Sequence, residues 1–204
     1  MRYDISMPIQ LGMPVYKNYP DKTPSFDVVR TFEQHTVFET NITMNLHTGT
    51  HLDFPKHTLP EGGTSTGHDL APLIGSATVY DLTHVASGIT KEDLETLSIK
   101  PGDFVLFKTK SSWDTTFNPE FIYVTLSAAQ YLVERGVRGV GVDALGVERA
   151  QPGHPTHDLL LSSNIIILEG IQLKDVPAGT YKMTCLPLNI VGVEALPVRA
   201  ILED

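Results

Sequence analysis

The segment His47-Thr-Gly-Thr-His51-Leu-Asp53-Phe-Pro55-Lys-His57 constrains this chain more than any other stretch. It gathers three imidazoles and a carboxylate within one short run. His47 and His51 are four apart, a spacing that would share one face of a helix, as in zinc proteases. The helical reading fails, because Gly49 and the β-branched Thr48 and Thr50 disfavour a helix and no Glu follows the first His. An extended course fits better. Positions 47, 51, 53 and 57 are all odd, so a roughly extended segment turns their side chains to one side. Gly49 then lets the backbone bend close to an ion, and Pro55 ends strand pairing and lifts Lys56-His57 over the site. Just upstream, Ile42, Met44 and Leu46 alternate with Asn41, Thr43, Asn45 and His47. That alternation predicts a strand with one buried face.

Imidazole and carboxylate are the ligand types that hold zinc and manganese-type divalent ions, so His47, His51 and Asp53 supply half of a metal site. A closed structural zinc site would draw on cysteines. The only one, Cys185, lies in the apolar run from Met183 to Leu186 and reads as a buried, inert thiol. An open, catalytic site is the inference that remains. Its other ligands must come from later in the chain, where His157, opening a short helix, and Glu169, at a strand end, are the best candidates by residue type. Residue type alone equally allows surface and capping histidines, which is the reading taken for His35, His68 and His84, and His154 reads as a loop neighbour of His157.

The 204 residues suffice for one domain with a sizeable core, spanning 1–204. Glycine and proline are spread along the chain, which suits many short strands joined by turns. Strands are expected at Tyr3–Ile5, Ala77–Leu82, Phe104–Phe107, Val137–Val142, Ile165–Leu168, Tyr181–Pro187 and Val198–Leu202, and a loop over Gly12–Pro24. Short helices are expected after the capping box Thr90-Lys-Glu-Asp93 through Leu97, at Ser127–Arg135 before a Gly136 stop, and near Thr156–Leu161. The class is α/β, with more strand than helix. A net charge of -9 argues against nucleic acid or an anionic membrane surface as partner. No apolar run reaches membrane-spanning length and the opening residues lack an apolar leader core, so a cytoplasmic protein is expected.

The histidine segment resembles the H-x-G-T-H-x-D-x-P-x-H signature of the cyclase family, metal-dependent hydrolases that include bacterial-type kynurenine formamidases and isatin hydrolases. The resemblance extends through Ile5 to Val15, the strand end at Asp143, His157 to Leu160, Ile167 to Gly170, Leu186 to Leu188 and Pro197 to Ala200. It implies a swivelling β/β/α fold with a mixed, strand-rich sheet and a few short helices. It also implies a homodimer or homotetramer and a site for two divalent ions, Zn2+ or Mn2+. Carried over by position, His47, His51 and Asp53 match ligands of the first ion and His157 a ligand of the second. Asp53 and Glu169 match carboxylates that touch both, and His57 matches the acid/base. A divalent ion lowers the pKa of bound water toward about 7, giving a nucleophile for an amide carbonyl, and His57 titrates in the range needed to protonate the departing amine.

The pattern departs from the family after Pro14-Val15. Kynurenine formamidases carry a Trp-Pro-Gly-Asp-Thr-Pro-like stretch there, whereas this chain continues Tyr16-Lys-Asn-Tyr19-Pro. Tyr16 either replaces the tryptophan as an aromatic wall for an aryl substrate or is a loop tyrosine at an oligomer interface. The strand end at Asp143 continues Ala-Leu-Gly146, where many relatives have a serine. The leading expectation is hydrolysis of a small-molecule aryl formamide. Opening of a cyclic amide of the isatin type is the enzymatic alternative. A metal- or ligand-binding protein without catalysis is the alternative of another class, and a free His57 speaks against it.

Overall fold

A computed structural model describes all 204 residues. Twelve strands and three α-helices run in the order β1 (Arg2–Asp4), β2 (Ser25–Arg30), β3 (Glu39–Thr43), β4 (His51–Asp53), β5 (Ile74–Asp81), β6 (Gly88–Ile89), α1 (Lys91–Glu95), β7 (Phe104–Lys108), β8 (Tyr123–Val124), α2 (Leu126–Arg135), β9 (Gly139–Val142), α3 (Pro155–Ser162), β10 (Ile166–Glu169), β11 (Gly179–Pro187) and β12 (Ala195–Glu203). The main sheet is mixed, ordered β1-β12-β11-β5-β7-β9-β10-β4. The far strand β4 also pairs with the long β12, through Ala195↔Asp53 and Pro197↔His51, which closes seven strands into a barrel. No helix is long and apolar enough to cross a membrane. The strand-rich mixed α/β class is the expected one.

Alternation along the buried strands sorts their side chains into two cores. Phe104 and Leu106 of β7 and Leu168 of β10 point into the barrel, with Leu52, Met183 and Leu202. Val105 and Phe107, with Val140 and Val142, point outward against Leu94 of α1 and Leu132 of α2. The Gly-Val-Gly-Val sequence of β9 follows from this. A Cβ at Gly139 would lie 2.4 Å from the Phe104 ring, and one at Gly141 would lie 2.5 Å from Leu106. The barrel interior is filled from β7, so β9 contributes only backbone on that side. The helix ends follow their sequence signals. Thr90 and Asp93 form the reciprocal capping box of α1, and Gly136 closes α2 at φ 68°.

One expectation is overturned. The alternation at Ile42, Met44 and Leu46 does not continue as a strand to His47. Strand β3 ends at Thr43, and every residue of β2 and β3 is exposed. These two strands pair only with each other, in a hairpin apart from the barrel. The chain turns where Asn45 accepts the His47 amide on its side chain at 2.9 Å and the Thr48 amide on its carbonyl at 3.0 Å. The run from His47 to His57 is therefore not uniformly extended either. Only His51–Asp53 is strand, flanked by a turn and by a 3-10 turn over Pro55–His57.

Candidate metal centre

Within β4, His51 and Asp53 stand on the outer face while Leu52 fills the barrel. Antiparallel register sets Glu169 of β10 directly opposite His51, so three potential ligands share one patch of sheet. The turn before β4 brings His47 alongside. Gly49 sits there at φ 72°, and a Cβ would meet the Ile9 side chain at 2.6 Å. Close packing by Ile9, rather than approach to an ion, explains the glycine. Thr50 ties this turn to the end of β10 by donating to the Gly170 carbonyl at 2.6 Å. Pro55 opens the 3-10 turn that carries His57 over the patch. From the other side, the first turn of α3 presents His157.

The five side chains converge. His47 Nδ1 lies 3.1 Å from both His51 Nε2 and Asp53 Oδ1, and His51 Nε2 lies 3.5 Å from Asp53 Oδ1. His157 Nε2 lies 3.6 Å from Asp53 Oδ2 and 3.4 Å from Glu169 Oε1, while Glu169 Oε2 reaches His51 Nε2 at 3.4 Å. Each carboxylate thus offers one oxygen to each of two neighbouring sets. Ligand atoms held about 2.1 Å from a tetrahedral cation are separated by about 3.4 Å, the spacing found here. Both oxygens of Asp53 are buried without a hydrogen-bond donor, a costly arrangement for a carboxylate unless a cation completes it. The residues fit a divalent cation.

The other ring nitrogens of His51, His47 and His157 each face an oxygen, and only that of His51 is within firm hydrogen-bond geometry. His51 Nδ1 faces the Gly49 carbonyl at 2.9 Å, His47 Nε2 faces Glu194 at 3.6 Å, and His157 Nδ1 faces Glu148 at 3.4 Å. Burial opposes ionisation of Asp53, yet the imidazoles of His157, His47 and His51 around it hold its carboxyl well below the usual range. Burial and the Asp53 charge push Glu169 up, but His157 and His51 draw it below its ordinary value. Burial disfavours the charged forms of His51 and His157, and the surrounding carboxylates overcome this and raise both. His57 differs. Burial lowers its pKa, and the nearby carboxylates of Asp53 and Glu169 offset this only in part. Its ring centre lies 4.2 Å from that of His47 and 5.4 Å from that of His157.

Sequence reasoning missed Glu148, which sits in no motif and whose partners lie six and nine residues onward. It is buried beneath the first turn of α3, where its Oε2 accepts the Thr156 and His157 amides at 2.9 and 3.2 Å. It therefore fixes both the helix start and the His157 ring. His154, expected in a loop, holds the left-handed position before α3 at φ 52° and places Nδ1 2.8 Å from Glu148. His35 and His84 are exposed as expected. His68 is instead half-buried, edge-on to Phe54 at 4.9 Å. Cys185 is buried, which pushes its thiol up to about 12.

Beside the cluster opens a cavity of about 440 Å³ whose lining includes His47, His57, His157, Glu169, Leu145 and Tyr16. Tyr16 is half-buried and packs edge-on to Phe117 at 5.4 Å and to Phe121 at 6.3 Å.

Comparison with known proteins identifies the family. The family model described as putative cyclase matches residues 3–149. A kynurenine formamidase of Sphingopyxis alaskensis is 31% identical over 99% of this chain and 97% of its own length. A solved structure described as a predicted metal-dependent hydrolase from Bacillus stearothermophilus is 50% identical, with a TM-score of 0.91 over 99% of this chain and 97% of that one. Isatin hydrolase A from Labrenzia aggregata shares the fold at a TM-score of 0.85 and 23% identity, over 99% of this chain and 93% of that one. With a family model over most of its length and a relative matched end to end, the chain belongs to the cyclase family.

Proposed function

We propose that this cyclase-family chain is a metal-dependent amidohydrolase acting on a carbon–nitrogen bond outside peptides. The reaction is of the arylformamidase type, converting N-formylkynurenine to kynurenine and formate. One observation carries the reading. Asp53 and Glu169 each turn one oxygen to His157 and the other toward His51, with His57 beside them at a cavity large enough for a small aryl substrate. His47, His51 and Asp53 would hold one divalent ion, and His157 with both carboxylates a second, zinc or manganese by ligand type. Such ions supply a polarised carbonyl and a water of lowered pKa. The chain's own residues do the rest. Asp53 and Glu169 provide the negative charge that lets two cations approach. His57 holds the proton that the departing amine needs. Its pKa, lowered chiefly by burial, favours the neutral imidazole that takes up a proton before handing it on. Tyr16, braced by Phe117 and Phe121, forms the wall against which an aryl ring stacks.

The relatives named kynurenine formamidase support the formamide over other amides. Turnover of N-formylkynurenine and isatin by protein purified without chelator tests the reading. Hydrolysis of the first is expected. Hydrolysis of isatin alone would transfer the assignment to cyclic amides, and bound metal with no hydrolysis of either would leave a binding protein. The exposed apolar hairpin, with Phe26, Phe32, Phe38 and Ile42 open to solvent, supports self-association as a homodimer or homotetramer.

A further inference from the structure

The cavity beside the cluster is lined by side chains of both charges. Its acids, Glu148 and Glu169, are committed, the first to the start of α3 and to His157 and His154, the second to the ligand cluster. Its lysines, Lys17 and Lys22, make no ion pair, although the chain has an excess of acids. Both ammonium groups lie over the Tyr16 ring, Lys17 Nζ 5.3 Å and Lys22 Nζ 5.5 Å from its centre.

Neither lysine is placed at random. Thr48, next to the ligand His47, donates its hydroxyl to the Lys22 carbonyl at 2.8 Å, so the Lys22 backbone is fastened to the metal-ligand turn. Lys17 and Asn18 hold left-handed backbone at φ 54° and 53°, a conformation that non-glycine residues adopt at a cost and that here aims the Lys17 side chain back over Tyr16. Two lysines without an ion-pair partner, close to one aromatic ring and lining the same cavity, form a receptor for an anionic group carried by an aromatic substrate.

We propose that Lys17 and Lys22 bind a carboxylate carried by the aryl-amine portion of the substrate, which makes this enzyme selective for carboxylate-bearing aryl amides over those that lack the carboxylate. The inference rests on the amidohydrolase reading above and narrows its substrate class. Lys17 and Lys22 are specificity residues; the bond-breaking step does not pass through them.

The test compares N-formylkynurenine with N-formylkynuramine, which lacks only the carboxylate, in the metal-loaded wild type and in the Lys17→Met/Lys22→Met double variant. The double variant is expected to lose about tenfold in kcat/KM on N-formylkynurenine, the scale of two partly exposed ion pairs, mainly through KM. Its activity on N-formylkynuramine should not fall, and Lys17→Arg/Lys22→Arg should restore most of the preference. The wild-type preference should shrink as salt is raised. Equal losses on both compounds would overturn the proposal. Calorimetric binding of kynurenine, which needs no turnover, separates this failure from that of the reading beneath it. Wild-type protein that hydrolyses neither formamide contradicts the arylformamidase assignment. Kynurenine that does not bind the wild type, or binds the double variant equally well, contradicts the carboxylate receptor.

Discussion

The β2–β3 hairpin and the β4–β10 strand pair invert each other. The hairpin and its loop leave Phe26, Val28, Phe32, Phe38 and Ile42 in solvent. The β4–β10 pair buries His51, Asp53 and Glu169 almost completely. Ordinary patterning would put the first set inside and the second outside. Each exception fits the proposals above: exposed apolar area at the hairpin suits self-association, and buried negative charge at the strand pair suits a cation. A region that violates the burial rule marks where a folded protein is completed by something else, and the kind of violation tells what that is.

Four variants sharpen the contrast. The largest effect is expected at His57, proposed above as the acid/base rather than a ligand. His57→Ala should lower turnover by about 10²–10⁴-fold, as loss of a general acid–base does, with metal content unchanged. Elemental analysis beside steady-state kinetics reads both, and metal loss would make His57 a ligand. Next is Leu52, between the two ligands of β4 and fully packed in the barrel. Leu52→Ala should cost about 2–5 kcal/mol in denaturant unfolding. A cost under 1 kcal/mol would mean that the barrel does not anchor the site.

Glu148 comes third. Glu148→Gln keeps an acceptor for the α3 amides but weakens the hold on His157, and should reduce metal affinity by about 10–100-fold in a chelator competition. The melting temperature of the metal-free protein should move little. A fall in stability without a change in affinity would reduce Glu148 to a helix cap. The smallest effect on folding is expected in the hairpin. Phe32 and Phe38, with ring centres 6.2 Å apart, are both exposed. Replacing both by Glu should change protomer stability by about 0.5 kcal/mol or less, yet abolish self-association in sedimentation experiments. Retention of the wild-type mass would show that the hairpin is not the contact.

The same contrast explains what was legible in the sequence. His47, His51, Asp53 and His57 stand close along the chain, and chemistry alone marks them. His157 and Glu169 were legible from residue type at a helix start and a strand end. The alternation at Ile42, Met44 and Leu46 was misread because it reports a pleat and not whether a second layer covers it; here none does. Glu148 was hidden because it acts through backbone amides of α3, which no side-chain pattern marks. Barrel closure rests on β12 pairing with β4, about 145 residues apart, a register that no local pattern encodes. The positive φ at Lys17 was equally invisible, since glycine is the only residue that announces it.

Metal stoichiometry is the most direct measurement. Protein purified without chelator is analysed for zinc and manganese per chain, in the wild type and in Asp53→Asn, Glu169→Gln and His157→Ala. Two divalent ions per wild-type chain, fewer in each variant, and turnover lost in step with metal would match the two sets of ligand atoms that share Asp53 and Glu169. A wild-type protein that turns over its substrate at full rate after its metal has been stripped would contradict it.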